Sequence, residues 1–444
     1  MTELRTSVPA RAWVVTFAGM AVNLCLGILY AWSVWKSSLK GTDLHPPGTP
    51  MVDAINKGWT YLNDAQATWA YCICGATFAL FMIPGGLVQD RLGPKVGVTA
   101  GGLFLAAGCI LAGLMKSFLG LVLGFGLLGG IGMGLGYAAA TPAAVKWFGP
   151  QRRGLIVGLV VGGYGAAAIY IAPLANWIIA EYGLSSSFID LGIFFAVVVL
   201  IAGQLLSWPA PGYVPPAAIN SNPATAARAQ SLTRVDWSAA KMVKTWQFYA
   251  LVLLFIASAQ SGLLVIANAK IILGDTANKI PFWAEHSWLL ASLGGFVNAS
   301  GRVGTGLYSD RIGRSNAYLV NGLLATVCLF AMPSIMRLEN VTLLLIAVNV
   351  VYWQYGGGLS LLPALTADFF GSKNLGFNYG LVFIGWGIAF FVPLFAGFIK
   401  DVTHNFDIAF YFSGGLLLSA VILSRCVKRP LAAGEDDRGP ATAA

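Results

Sequence analysis

Apolar runs of about 20 residues recur along this chain, the length a helix needs to cross a bilayer. Twelve can be placed, at roughly 12–38, 66–90, 96–115, 118–147, 153–180, 187–208, 245–273, 287–309, 316–336, 340–368, 376–400 and 406–426. Inside a bilayer every backbone polar group must find its partner within the protein. The runs therefore predict an all-α polytopic membrane protein. Charged residues make up only 10% of the 444, against about 25% in a soluble domain. The first run is too long for the core of a signal peptide, and no secretory cleavage pattern is visible.

Loop charge sets the expected orientation. With both termini inside, 18 of the 27 Lys and Arg fall on the cytoplasmic side and 8 on or near the outer side. That is the bias of the positive-inside rule. It accounts for the net charge of +9 without nucleic acid. Residues 209–243 are rich in Pro, Ala, Ser and Asn and carry Arg228, Arg234 and Lys241. They read as a cytoplasmic linker between two six-helix halves, 1–208 and 244–444, the second ending in a short cytoplasmic tail. The longest outer loop spans 40–66.

The halves echo one another. Gly86-Leu-Val-Gln-Asp90-Arg91-Leu-Gly93-Pro-Lys95 follows the second run, and Gly306-Leu-Tyr-Ser-Asp310-Arg311-Ile-Gly313-Arg314 follows the eighth, 220 residues on. A second echo pairs Pro142 to Gly149 with Pro363 to Gly371. Repeats of this kind mark transporter folds. The glycines are expected to let helices approach closely. The aspartates are expected to cap helix ends and pair with the loop's basic residues.

One charge stands apart. Arg302 falls within the eighth run, where a charge costs about 3 kcal/mol on insertion scales. Arginine cannot escape by losing its proton. Its natural partner is an anion, and no Asp or Glu lies deep in any run. The alternative is a structural arginine on a buried acid. The six cysteines are five within the runs and Cys426 at the end of the last, and the three histidines lie in loops or at helix ends. Neither set suggests a disulfide, a metal, a cofactor or a histidine relay. A membrane enzyme would need an intramembrane nucleophile or acid pair. A sensor would show an added soluble domain.

The loop Gly86, Asp90, Arg91, Gly93 and its copy Gly306, Asp310, Arg311, Gly313 resemble the signature of the major facilitator superfamily. Three further segments resemble the oxalate/formate antiporter family, a relative of the monocarboxylate transporters. They are Gly27-Ile-Leu-Tyr-Ala-Trp-Ser-Val34, Lys146-Trp-Phe-Gly-Pro-Gln-Arg-Arg-Gly154, and Pro363 through Gly371 to Asn378-Tyr379-Gly380. The resemblance implies a fold of two pseudo-symmetric six-helix halves. Spans one, four, seven and ten would line the cavity, and two, five, eight and eleven would help gate it. Arg302 would match the arginine that binds substrate carboxylate.

Two departures refine this. Trp386 stands where the oxalate antiporter has a lysine, so one fixed cation is missing. Asn298 stands where animal monocarboxylate carriers have an aspartate implicated in proton movement, and their first-span lysine falls near Val34. Lys36 is two residues away, near the outer end. The expected function is alternating-access transport of small organic anions, most simply a monocarboxylate such as lactate or formate. Oxalate/formate-type dicarboxylate exchange and proton-coupled symport are the alternatives, with protons or a counter-anion as co-substrates. The expected site comprises Arg302, Asn298, Tyr137, Trp386, Tyr355, Tyr352, Gln260 and Tyr30. Lys270 is expected to snorkel. The protein is expected to be a monomer in a bacterial inner membrane, not an enzyme.

Overall fold

The computed structural model describes residues 8–148, 153–210, 213, 236–277, 279–371 and 375–430. Most of the expected linker, with Arg228 and Arg234, lies outside the described residues, as does the Asp310 side chain.

Twelve long helices form among the described residues. α1 is Ala10–Leu39, tightened to a 3-10 stretch at Gly27–Ala31. α2 is Asp64–Leu92, α3 Pro94–Met115 and α4 Phe118–Val145, the last widened to a π-helical turn over Leu121–Gly129. α5 covers 153–182 and α6 covers 184–205, separated at Gly183. α7 is Trp246–Thr276, α8 Leu289–Ile312, α9 Arg314–Arg337 and α10 Val341–Phe370. α11 covers 375–403 with an irregular turn at Phe390, and α12 is Asp407–Cys426.

Among the described residues, ten helical stretches are long and apolar enough to cross a membrane on composition alone. One of these holds both α5 and α6. α8 is not among them, because Asn298, Ser300, Arg302 and Thr305 dilute its hydropathy. Packing between α5 and α10 gives it its place instead.

The apolar window of α7 is 83% buried and that of α1 67%, against 44% for α9 and for α12. The first pair is therefore central and the second peripheral. Between halves, α2 packs on α11 and α5 on α8, with α1 against α7 on the axis. These are the contacts a pseudo-two-fold relating α1–α6 to α7–α12 generates. The end of the molecule carrying Val8 and Pro430 is termed proximal, and the opposite end distal.

The repeat is visible in backbone angles. Gly93 ends α2 at φ 91, ψ 163, and Gly313 ends α8 at φ 89, ψ 150. Each donates its N–H to the carbonyl four residues back, at 3.0 Å, and a new helix starts at the next residue. Only glycine occupies that region freely. Two expectations for these loops are corrected. A Cβ built at Gly86 or Gly306 meets nothing within 4 Å, so neither glycine serves a close helix contact. Asp90 is exposed and has no ion pair among the described residues. Arg91 and Arg311 are exposed too.

The distal loop after α1 is folded back. Lys40 bridges to Leu62 and Pro50 to Thr60. Asn56 accepts the Leu184 N–H at 2.8 Å, and the Trp59 indole donates to Ser185 at 3.0 Å. The loop thus caps the α5–α6 turn.

Candidate functional site

Arg302 sits on α8 and is 4% exposed. Nε donates to Asn298 Oδ1 at 3.2 Å, one turn earlier on the same helix. Nη1 donates to the Val161 carbonyl on α5 at 3.0 Å, and Nη2 to the Tyr30 hydroxyl on α1 at 3.0 Å. The guanidinium therefore spans both halves. All three of these partners are neutral oxygens. A guanidinium has five N–H groups. Two lie outside these three bonds, with the Tyr137 side chain against the same group, and two is the number one carboxylate takes bidentately.

The cluster continues through hydroxyls. Tyr30 and Tyr355 on α10 share a hydrogen bond at 2.8 Å, and the Trp386 indole on α11 donates to the Tyr355 hydroxyl at 3.0 Å. Arg302 and Trp386 each spend a donor on this pair. One hydroxyl proton bridges the two oxygens, which leaves the other without an acceptor among the described residues. Tyr355 is held by Gly262 on α7, where a Cβ would lie 2.4 Å from its ring. Asn298 Nδ2 is buried without an acceptor, and so is the Tyr352 hydroxyl, whose ring packs on Gly294 one turn of α8 earlier. No carboxylate pairs with Arg302 among the described residues. The site is a surplus of buried donors around a permanent cation. That arrangement suits an anion.

Aromatic rings close the walls. Tyr164 on α5 meets Tyr30 edge-on at 5.1 Å and Tyr137 at 5.4 Å. Tyr137 also contacts Arg302 and packs on Phe78 at 5.4 Å. Phe78 and Phe383 each lie 4.9 Å from Trp386. Such walls fit a short apolar substituent.

Seven of the eight expected site residues thus fall in or beside one cluster. Gln260 does not. Its amide nitrogen donates to the carbonyls of Ala257 and of Ser413 on α12, both at 3.1 Å. Lys270 does not reach solvent freely either, since it donates to Asn176 on α5 at 2.7 Å. Trp386, which removes a cation from the expected site, contributes a neutral donor there.

The sequence reading missed Tyr164, and it missed a second polar centre at the distal end. Lys36 was placed near the outer end and Asp64 in a loop. Both are buried, at 0% and 3% exposure, and they pair at 3.3 Å. The Asn63-Asp64-Ala65-Gln66 capping box was the available signal that α2 starts at Asp64.

Two six-helix halves meeting on a buried polar cluster define a membrane carrier. The chain belongs to the Major Facilitator Superfamily, which it matches over residues 12–359. It is 25% identical to YhjX of Escherichia coli K-12, an uncharacterised transporter of this type, over 85% of each chain. It is 24% identical to the oxalate:formate antiporter of Oxalobacter formigenes, covering 81% of this chain and 88% of that one. Monocarboxylate transporter 12-B of Danio rerio is 25% identical over 82% of this chain and 79% of its own. Among solved structures, a bacterial homologue of the human lysosomal transporter Spinster, inward-facing and unoccupied, superposes with TM-score 0.61 at 15% identity. The superposition covers 95% of this chain and 96% of that one.

Proposed function

We propose that the protein is a secondary transporter of small organic anions, most simply a monocarboxylate. The observation that carries this is Arg302, a buried permanent cation whose partners are all neutral, with no carboxylate paired to it among the described residues. The relatives named for oxalate, formate and monocarboxylates support the substrate class. Trp386 adds a neutral donor where a second fixed cation would favour a dianion. Alternating access fits the placement: Tyr30 and Val161 belong to one half and Arg302 to the other, so a carboxylate on the guanidinium sits where the halves meet. Both termini are cytoplasmic in this reading, and the distal end faces outward.

Neutral partners satisfy three of the N–H groups of Arg302 with no anion bound, so return of an empty carrier does not leave the guanidinium unpaired, and symport remains open beside exchange.

Purified protein in liposomes tests the proposal. Uptake of labelled lactate or formate is measured in competition with formate, acetate, lactate, pyruvate, oxalate and succinate. Monocarboxylates should compete, with the dianions weaker by about tenfold, near 1.4 kcal/mol. Competition by neutral or cationic solutes alone would overturn it.

A further inference from the structure

The distal mouth holds a carboxylate cage that the Arg302 site does not explain. Lys36 Nζ on α1 lies 3.3 Å from Asp64 Oδ1 and donates to Asn268 Oδ1 on α7 at 2.6 Å. Lys40 Nζ lies 3.2 Å from the other Asp64 oxygen. Lys400 on α11 is buried next to them and pairs with Asp275 at 3.2 Å. Asp401, also on α11, places its two carboxylate oxygens on the Asp64 and Ala65 N–H groups at 3.0 and 3.1 Å. A carboxylate thus already sits, bidentate, on the first turn of α2.

These contacts divide unevenly between the halves. Lys36, Lys40, Asp64 and the α2 amides belong to the first half. Asn268, Asp275, Lys400 and Asp401 belong to the second. If the distal end opens, Asp401 and Asn268 leave with the second half. The first half then keeps two lysines, two free amide N–H groups and one carboxylate. That donor set carries net positive charge. Lys36 holds Asp64 Oδ1 at 3.3 Å in the first half and Asn268 in the second, so parting the halves removes one of its two partners.

A polar column links this cage to Arg302. Tyr71 lies seven residues beyond Asp64 on α2, nearly the same helix face and about 10 Å along the axis. Its side chain lies near those of Tyr30, Tyr352 and Tyr355, and its hydroxyl donates to the Leu263 carbonyl on α7 at 3.4 Å. The Tyr30 hydroxyl accepts from the guanidinium, and the Tyr355 hydroxyl bonds to Tyr30.

The geometry points to a second carboxylate-binding station at the distal mouth, formed by Lys36, Lys40 and the Asp64 and Ala65 amides. There a substrate anion takes the place of Asp401 before it moves inward to Arg302. Asp401 is then a tethered stand-in for substrate that seals the mouth when no anion is docked. The inference rests on the proposed carboxylate transport.

Sided kinetics test it. Uptake of the best competitor from the carboxylate panel is measured in intact cells and in inside-out vesicles from the same cells. Lys36→Gln should raise KM about tenfold from the distal side, as loss of one charge-assisted contact implies, and less than twofold from the proximal side. Lys36→Arg should restore it. Removing one partner of a buried pair can impair folding. The double variant Lys36→Gln with Asp64→Asn removes both partners and should show the same one-sided loss. Equal loss from both sides would assign Lys36 a structural role and overturn the station, as would an unchanged distal KM. Lack of carboxylate uptake by the unsubstituted protein would overturn the transport reading itself, and the station with it.

Discussion

Arg302 and Tyr30 are 272 residues apart, in opposite halves of the molecule, yet Nη2 donates to the hydroxyl at 3.0 Å. Tyr30 then passes the contact to Tyr355 in the second half. The bond crosses the interface at the cluster that would hold the substrate. A ligand on the guanidinium therefore sits where the halves meet.

The first test is the guanidinium. Arg302→Lys keeps the charge but loses the planar fork. Nε, Nη1 and Nη2 each have a different partner, and an ammonium cannot span them together. Carboxylate uptake should fall by about a hundredfold, or 2.8 kcal/mol, with protein yield and thermal stability little changed. Uptake with the affinity of the unsubstituted protein would sink the site assignment.

Tyr355→Phe separates donor supply from packing. The ring remains against Gly262, but the Trp386 indole loses its acceptor at 3.0 Å and Tyr30 loses its hydroxyl partner. An unsatisfied buried donor costs about 1–3 kcal/mol. Substrate affinity should drop by about tenfold in competition assays, with the monocarboxylate preference retained. An unchanged affinity would place Tyr355 outside the binding network.

Arg302 was readable because one charge stands out in an apolar run, whatever surrounds it. Tyr30, Tyr355 and Trp386 were readable only as candidates, since aromatic residues in spans mostly pack. Gln260 shows why. α7 is apolar and buried on nearly all sides, so its hydropathy carries no phase, and the amide faces α12 rather than the cluster. The distal cage was illegible for another reason. Lys36 is buried by Asn268, 232 residues away, and span-end lysines ordinarily snorkel. The twelve helices and the repeat, by contrast, depend on local composition, and they stand where the sequence puts them to within a few residues.

The repeat itself can be tested at its two glycines. Gly93 and Gly313 share one backbone conformation, and a Cβ at either would meet nothing within 4 Å. Any penalty is then backbone strain alone. Gly93→Ala and Gly313→Ala should each destabilise by about 1–3 kcal/mol, read as a lowered unfolding temperature in detergent. A neutral result at both would refute the strain assignment.

Trp386→Lys restores a cation where the antiporter family has one. The indole now lies 4.5 Å from Phe390 and 4.9 Å from Phe78 and Phe383, so the change opens space as well as adding charge. Oxalate should gain on formate by about tenfold in competition. Unchanged selectivity would count against charge number as the discriminator.

Asn298→Asp tests coupling. Asn298 Oδ1 accepts from Arg302 Nε at 3.2 Å, and its other amide atom has no acceptor. The introduced carboxylate would pair with the guanidinium and compete with substrate while ionised. Protonation removes that competitor, so uptake should rise as pH falls. The parent protein has no carboxylate bonded to Arg302 among the described residues and should vary less over the same range. Uptake by the variant that is flat with pH, or that falls on acidification, would show that position 298 cannot gate Arg302 by charge.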